Sequence, residues 1–296
     1  MDVTTDRISP SPLCSTVAHE AMSRGIITVA ADATVRDVAA TMAVRRVHAV
    51  LVRDQNDDAT AASTARRDLD VVRAALLGEP DVPIADVPAE RLPVVDPHAR
   101  LQDVAGVMVH RDATHVLVAQ GPSAVPAGLL STFDLVAALA GRDPRLARMV
   151  RQGPATREGG DGWLDGIPVR DVMHAGLIEC DPGTSITSVA ALLADHGVHA
   201  AAVSGVERST PGGKRLVQAI IDAMDVLAGA CHWTSVRTAG DLAGLRPVVA
   251  SEDDSVEFAA RLMSEHGVTH IVAVDGAGMA TGMLSALDVA GVCANL

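Results

Sequence analysis

Short apolar runs alternate with amphipathic segments along the chain, and the same order of elements occurs four times. A short apolar strand comes first, followed by a helix with apolar residues at helical spacing, as at Val35, Val38, Ala39 and Met42. A second apolar strand, a turn, a third strand and an alanine-rich helix complete the unit. The second strands are predicted at 48–52, 115–119, 199–203 and 270–274. The pattern predicts an α/β (α+β) fold made of tandem β-α-β-β-α units.

The four predicted units span residues 16–78, 82–142, 167–230 and 238–296. Residues 1–15 form a polar tail, and residues 143–166 link the second unit to the third. Gly159–Gly162 is expected to be a flexible joint in that linker. Arginines recur every third residue from Arg142 to Arg151, which predicts a solvated basic helix face, with partner docking as the alternative. One unit cannot cover both faces of its sheet, so the units are expected to pair.

One eight-residue stretch occurs twice, at Gly128–Leu135 and at Gly282–Val289. Each copy has a glycine, two apolar residues, a serine, two further residues and an aspartate at the start of a helix. Serine is a good N-cap, and an acid in the first turn suits the helix dipole, so capping alone accounts for the pattern. The alternative is that these serines and aspartates face a ligand, because a carboxylate at this junction can accept hydrogen bonds from both hydroxyls of a ribose.

Composition narrows the class of partner and the compartment. The net charge of −13 disfavours nucleic acid, whose binding depends largely on Lys and Arg neutralising phosphates. No apolar run is long enough to span a bilayer, and the first fifteen residues lack the apolar core of a signal peptide. The four cysteines are far apart and form no C-x-x-C pair, which favours reduced thiols over disulfides or zinc. We therefore expect a cytoplasmic protein.

The order of elements, together with the two Ser-x-x-Asp helix starts, resembles the cystathionine-β-synthase (CBS) domain. The resemblance extends from about residue 16 to 296 and is strongest in Glu265–Asp275 followed by Gly282–Asp288. It implies that units 1 and 2 pair into one two-repeat (Bateman) module and units 3 and 4 into another. The modules are expected either to stack within one chain, as in the γ subunit of AMP-activated protein kinase, or to pair across a homodimer.

The resemblance implies clefts between paired sheets that bind AMP, ADP, ATP or S-adenosylmethionine. It assigns ribose binding to Ser131 and Asp134 in unit 2 and to Ser285 and Asp288 in unit 4. Unit 1 departs from the motif: Ala65 holds the serine position if Asp68 is the equivalent acid, and Arg67 holds it if Asp70 is. Unit 3 has Asp222 in place of the serine, ahead of Asp225, and a second carboxylate would repel a phosphate. One competent cleft per module is expected.

Histidine opens the predicted second strand of every unit, and the resemblance places a phosphate-contacting residue there. An imidazole can donate to a phosphate and becomes cationic near neutral pH beside an anion. The alternative is a strand-edge histidine bonded to backbone. Metal binding is less favoured, because the four rings are expected to lie in separate clefts. The candidate phosphate ligands are these histidines and two preceding threonines: His48, Thr114, His115, His199, Thr269 and His270.

The sequence lacks the G-x-S-x-G, P-loop, H-E-x-x-H and G-x-G-x-x-G motifs, so we expect no enzyme. The predicted function is that of a stand-alone regulator that binds adenine nucleotides, requires no cofactor and acts on an unidentified effector protein. Three alternatives stay open: a ligand-free scaffold, a sensor of S-adenosylmethionine, and a nucleic-acid-binding protein. The histidines argue against the cationic S-adenosylmethionine, and the net charge argues against nucleic acid.

Overall fold

The structure is a computed structural model that describes residues 12–53, 64–89, 91–121, 125–142, 164, 166–205, 216–231, 237–242 and 246–295. The expected joint at Gly159–Gly162, the arginines that follow Arg142 in the basic series, and most of the polar tail lie outside these residues.

Each unit contributes one small sheet in which the first two strands are parallel and the last two antiparallel. The strands of the first two units are β1 (Thr28–Ala30), β2 (Ala49–Arg53), β3 (Thr64–Arg67), β4 (Val94–Val95), β5 (His115–Val118) and β6 (Gly128–Ser131). Those of the last two are β7 (His174–Ala175), β8 (Glu179–Cys180), β9 (Ala200–Gly205), β10 (Leu216–Asp222), β11 (Val249–Ser251), β12 (His270–Val274) and β13 (Ala280–Ser285). Strand β7 joins the fourth sheet beside β13. The predicted α/β fold of β-α-β-β-α repeats is confirmed.

Two helices accompany each sheet, one after the first strand and one after the third. They are Val35–Arg45 and Asp68–Val72, Leu101–His110 and Thr132–Leu139, Ile186–His196 and Ala223–Cys231, and Val256–His266 and Ala286–Cys293. The helix at Asp68 continues through Arg73–Leu77 as a π-helical turn, and short helical segments occur at Pro12–Ser15, Ala18–Ala21, Ile84–Asp86, Val169–Asp171 and Ala239–Leu242. The first helices of units 1, 3 and 4 begin after a hydroxyl N-cap that accepts a backbone N–H three residues on, at Thr34, Ser185 and Ser255.

The helices pack between units that are not adjacent in sequence. One apolar core joins the helices of units 1 and 3, with Val38, Met42, Leu193 and Leu227 among its buried members. A second core joins those of units 2 and 4. A smaller apolar cluster, Leu51, Ala65, Leu92 and Leu117, joins the sheets of units 1 and 2. Units 1 and 2 therefore bury one surface against their sequence neighbour and another against the unit two places along the chain.

The glycine that opens each copy of the repeated stretch lies under a crossing segment. A Cβ on Gly282 would meet the backbone oxygen of His174 and the sulfur of Met173, because β7 pairs with β13 at this point. A Cβ on Gly128 would likewise meet the backbone oxygen of Ser23 and the sulfur of Met22. The close backbone approach explains why both copies begin with glycine.

We expect Gly282→Ala and Gly128→Ala each to lower the free energy of unfolding by roughly 1–3 kcal/mol, the usual effect of forcing atoms into a packed site. Gly106→Ala is the matched control: its Cβ would meet no atom within 4 Å, and it lies inside a helix. That variant should gain roughly 0.5–1 kcal/mol. Urea denaturation measures all three. Equal stability of Gly282→Ala and Gly106→Ala would contradict the close crossing.

Candidate functional site

The two repeated serine–aspartate pairs form reciprocal caps with nearly identical geometry. In unit 2, Asp134 Oδ2 accepts the Ser131 backbone N–H at 2.7 Å and the Ser131 hydroxyl at 2.8 Å. In unit 4, Asp288 Oδ2 accepts the same two groups of Ser285 at 2.8 and 2.7 Å. The capping interpretation of the sequence is therefore correct for both pairs. Because a carboxylate has a second oxygen, capping does not exclude a contact with ligand.

The two aspartates differ in exposure. Asp134 has no exposed surface, and all of Thr132–Leu139 is buried. The side chain of Asp288 is 15% exposed, and its Oδ1 lies 3.1 Å from Nε2 of His174, whose own side chain is 80% exposed. The cap therefore occupies Oδ2 of Asp288 and turns Oδ1 towards a solvent-exposed imidazole. Nothing in the sequence pattern indicated His174, which lies more than a hundred residues before its partner.

The structure decides between the two alignments considered for unit 1. Arg67 is the last residue of β3, and its backbone N–H donates to Asp70 at 3.1 Å, so Arg67 and Asp70 occupy the positions of Ser131 and Asp134. The Nε of Arg67 also lies 3.4 Å from Asp70. A guanidinium thus stands where units 2 and 4 have a hydroxyl.

Unit 3 has two carboxylates at the same place. The Asp222 backbone N–H donates to Asp225 at 3.1 Å, and Asp222 accepts the Asp225 backbone N–H at 2.8 Å. Burial, followed by repulsion from Asp222, raises the pKa of Asp225 to about 7. The acid of this unit is therefore substantially protonated at neutral pH, unlike an ordinary aspartate.

The histidines that open the second strands do not occupy equivalent positions, which corrects the interpretation from sequence. His115 pairs with Ser131 and His270 with Ser285, whereas Ala49 pairs with Arg67 and Ala200 with Asp222. His48 and His199 therefore lie one residue earlier, at the positions of Thr114 and Thr269. The backbone hydrogen bonds agree with this alignment. The carbonyls of His48 and His199 accept the N–H of Asp68 and Ala223, which begin the following helices. The carbonyls of Thr114 and Thr269 accept the N–H of Thr132 and Ala286 in the same way.

The expectation that the four histidines lie in separate clefts is also wrong, because the helix packing draws them towards one another. His48 Nδ1 lies 2.7 Å from Asp68 Oδ2, and His199 Nδ1 lies 3.3 Å from Asp68 Oδ1. The ring of His115 stacks near that of His48 with centroids 6.4 Å apart. His270 lies near enough to His199 and His48 for their charges to act on it. Among the described residues, no group of three or more histidine, cysteine or acidic side chains could hold a metal ion.

The charges of these histidines differ. Burial disfavours the imidazolium of His199, but the hydrogen bond to Asp68 and the negative charge of Asp68 together outweigh burial and raise the pKa of His199. Burial, followed by repulsion from His199, lowers the pKa of His270 to about 4. His270 is thus neutral at physiological pH, and its Nδ1 lies 3.0 Å from the Thr269 hydroxyl. Thr114 and His115 repeat this contact at 3.0 Å. These two pairs can offer hydrogen bonds to an anion, and His199 can offer a charge.

An open groove of about 1020 Å³ lies between Leu101–His110 and the strand that begins at Val94. Arg67, Arg91 and Arg111 line it. Thr114 is the one predicted site residue in its lining, so the groove and the serine–aspartate pairs are separate places.

Two segments of the chain, residues 17–59 and 239–295, match the family model of the CBS domain. They fall in the first and fourth units. No curated protein matches the chain in sequence. In the described residues, no helix combines the length and apolar character that crossing a membrane requires.

Among the solved structures similar to this chain, two cover 94% of it. A Methanocaldococcus jannaschii protein, described as a proposed archaeal homologue of g-AMPK, has a TM-score of 0.68 and 14% sequence identity, covering 94% of this chain and 99% of that one. An uncharacterised conserved protein from Pyrococcus horikoshii has a TM-score of 0.55 and 17% identity, covering 94% and 100%. At these identities the similarity concerns the fold.

The raised pKa of Asp225 predicts a pH dependence with a definite sign. Between about pH 4 and 7 the folded chain binds a proton at Asp225 that the unfolded chain lacks, so the contribution of Asp225 to stability should fall as pH rises, by at most about 1.4 kcal/mol per pH unit. The lowered pKa of His270 contributes in the opposite direction, so the change in slope between wild type and variant is the quantity to measure. Asp225→Asn should reduce that fall, whereas Asp195→Asn, on an exposed helix end, should leave it unchanged. Urea denaturation at several pH values tests this. An unchanged slope in Asp225→Asn would show that Asp225 titrates normally.

Proposed function

We propose that this chain, which contains CBS domains, is a regulatory protein that binds adenine nucleotides beside its serine–aspartate pairs. The observation that carries the proposal is the geometry of Asp288. Its cap fixes the carboxylate through Oδ2, while Oδ1 faces a side chain that is mostly in solvent. A carboxylate held in this way is ready to accept hydrogen bonds from ribose hydroxyls without further ordering.

The surroundings of Asp288 support an anionic ligand. His270 lies directly opposite Ser285 in the sheet, and its ring contacts the Thr269 hydroxyl. The imidazole and the hydroxyl together supply polar groups for a phosphate. His199, with its raised pKa, brings positive charge to the same neighbourhood. The cationic sulfonium of S-adenosylmethionine would gain nothing from that charge. AMP, ADP and ATP combine a ribose with phosphates and fit both features.

The cleft of unit 2 is proposed as the second site, although Asp134 is fully buried. A ribose reaches Asp134 only if the cleft opens, so this site should be weaker than that of unit 4. Units 1 and 3 are proposed not to bind ribose, because Arg67 or Asp222 replaces the capping hydroxyl. An effector protein that senses the occupied state belongs to the same proposal, as does a cytoplasmic location. Of the two expected arrangements of the modules, stacking within one chain and pairing across a homodimer, the helix packing of units 1 with 3 and 2 with 4 supports the first.

Three aspartates at equivalent helix starts give an internally controlled test. Asp288→Ala should remove one nucleotide-binding event, costing roughly 1.5–3 kcal/mol of binding free energy, as loss of a hydrogen bond to a charged group does. Asp134→Ala should remove the weaker event and also destabilise the fold, because a buried carboxylate that accepts two hydrogen bonds is lost. Asp225→Ala should leave both events intact. Calorimetric titration with AMP, ADP and ATP measures all three.

The same titrations separate the rival functions. The wild type should gain roughly 2.7 kcal/mol of stability at a nucleotide concentration a hundred times the dissociation constant. No binding of any adenine nucleotide at millimolar concentration would favour the ligand-free scaffold. Binding of S-adenosylmethionine alone would favour the sensor of that compound. Equal losses in Asp225→Ala and Asp288→Ala would refute the assignment of the clefts.

A further inference from the structure

Asp68 is a buried carboxylate that contacts histidines from two different units. It lies at the start of the second helix of unit 1, and 5% of its side chain is exposed. Its Oδ2 contacts His48 of the same unit at 2.7 Å, and its Oδ1 contacts His199 of unit 3 at 3.3 Å. One residue thus connects second strands that begin about 150 residues apart.

The two histidines are equivalent in the repeat, but the carboxylate is not repeated. The Asp68 N–H donates to the His48 carbonyl at 2.9 Å, and the Ala223 N–H donates to the His199 carbonyl at 3.0 Å. Asp68 in unit 1 therefore corresponds to Ala223 in unit 3, and Ala223 is buried. If unit 3 also had an aspartate at this position, two carboxylates would lie near each other where the equivalent helices meet, and they would repel each other. A single aspartate opposite alanine lets one carboxylate serve both histidines.

The charges of the three groups depend on one another. Burial favours the neutral form of Asp68, but hydrogen bonds from His199 and His48 outweigh burial and hold its pKa well below the ordinary value. The same contact raises the pKa of His199, which Arg67 and His48 lower in part. The other titratable groups around the cluster are His115, His270, Asp222 and Asp225. Removal of Asp68 or His48 therefore changes the protonation of His199.

We propose that Asp68 is a positioning residue that holds His48 and His199 as one linked pair, through which an anionic ligand bound in one half of the chain affects the other half. The proposal rests on the nucleotide-binding function above. A histidine whose Nδ1 donates to a carboxylate presents its Nε2 in a fixed direction, and when protonated it donates from there to an anion. A phosphate bound at either histidine favours the protonated form of that ring. The change in charge alters how strongly Asp68 interacts with the other histidine.

The linkage has a defined pH window. The contribution of His199 is complete below the ordinary pKa of histidine and is lost as the pH rises through its raised value. The contribution of Asp68 is complete above the ordinary pKa of aspartate and is lost as the pH falls through its lowered value. The linked pair is therefore strongest in mildly acidic to neutral solution.

Two substitutions should move the titration of His199 in opposite directions. Asp68→Asn keeps the shape and removes the charge, so the NMR titration of the His199 ring should move to lower pH. His48→Gln removes a competing cation and leaves the carboxylate to His199 alone, so that titration should move to higher pH. His98→Gln, at an exposed position outside the trio, is the control and should move neither. A merely structural role of Asp68 would not produce opposite shifts.

The second part of the experiment measures the affinity of the same variants for AMP. Asp68→Asn should weaken AMP binding roughly tenfold or more, as expected when a hydrogen bond to a charged group no longer orients its partner. An unchanged His199 titration in both Asp68→Asn and His48→Gln would overturn the proposal, as would wild-type AMP affinity in Asp68→Asn. Failure of the wild type itself to bind AMP would refute the nucleotide-binding function, and the titrations would then show the histidine linkage without a ligand. If Asp68→Asn does not fold, His48→Gln alone still decides the linkage by the direction of its shift.

Discussion

The packing of helices from alternate units is the constraint on which the rest of this structure depends. A three-stranded sheet with two helices leaves an apolar helix face that one unit cannot bury by itself. Here the helices of unit 1 cover those of unit 3, and the helices of unit 2 cover those of unit 4. This packing brings the starts of the second helices close together. Because the start of each second strand is hydrogen-bonded to the start of the second helix of its unit, the second strands are brought together as well. The histidine cluster is a consequence of this packing.

The same structural position carries three different electrostatic environments in the four units. A serine caps the aspartate in units 2 and 4, an arginine takes that place in unit 1, and a second aspartate in unit 3. The backbone geometry is retained throughout, because in every unit an aspartate carboxylate accepts the N-cap backbone N–H. Capping therefore explains the conserved shape, and the identity of the N-cap residue determines which units suit a ribose.

Much of the fold could be predicted from the sequence, because apolar periodicity and capping are local. The Ser131–Asp134 and Ser285–Asp288 pairs are where the pattern places them. The prediction that a histidine opens every second strand is wrong by one residue in units 1 and 3, where Ala49 and Ala200 hold the positions of His115 and His270. Register depends on the partner strand, and a short apolar run does not specify it.

The parts of the site that sequence could not predict depend on long-range packing. The local sequence indicates Asp68 only as a possible ribose ligand, because nothing local shows that the helices of units 1 and 3 meet there. His174 was missed for a similar reason: its contact with Asp288 follows from the pairing of β7 with β13, and the close crossing at Gly282 is the one local trace of it. Both contacts join residues more than a hundred positions apart.

A crystal structure of the protein with AMP tests the central claim most directly. The account predicts that both ribose hydroxyls lie within hydrogen-bond distance of Asp288 Oδ1, that the imidazole of His174 has moved away from that oxygen, and that Oδ2 still accepts from Ser285. AMP bound elsewhere, with the contact between His174 and Asp288 intact, would contradict it.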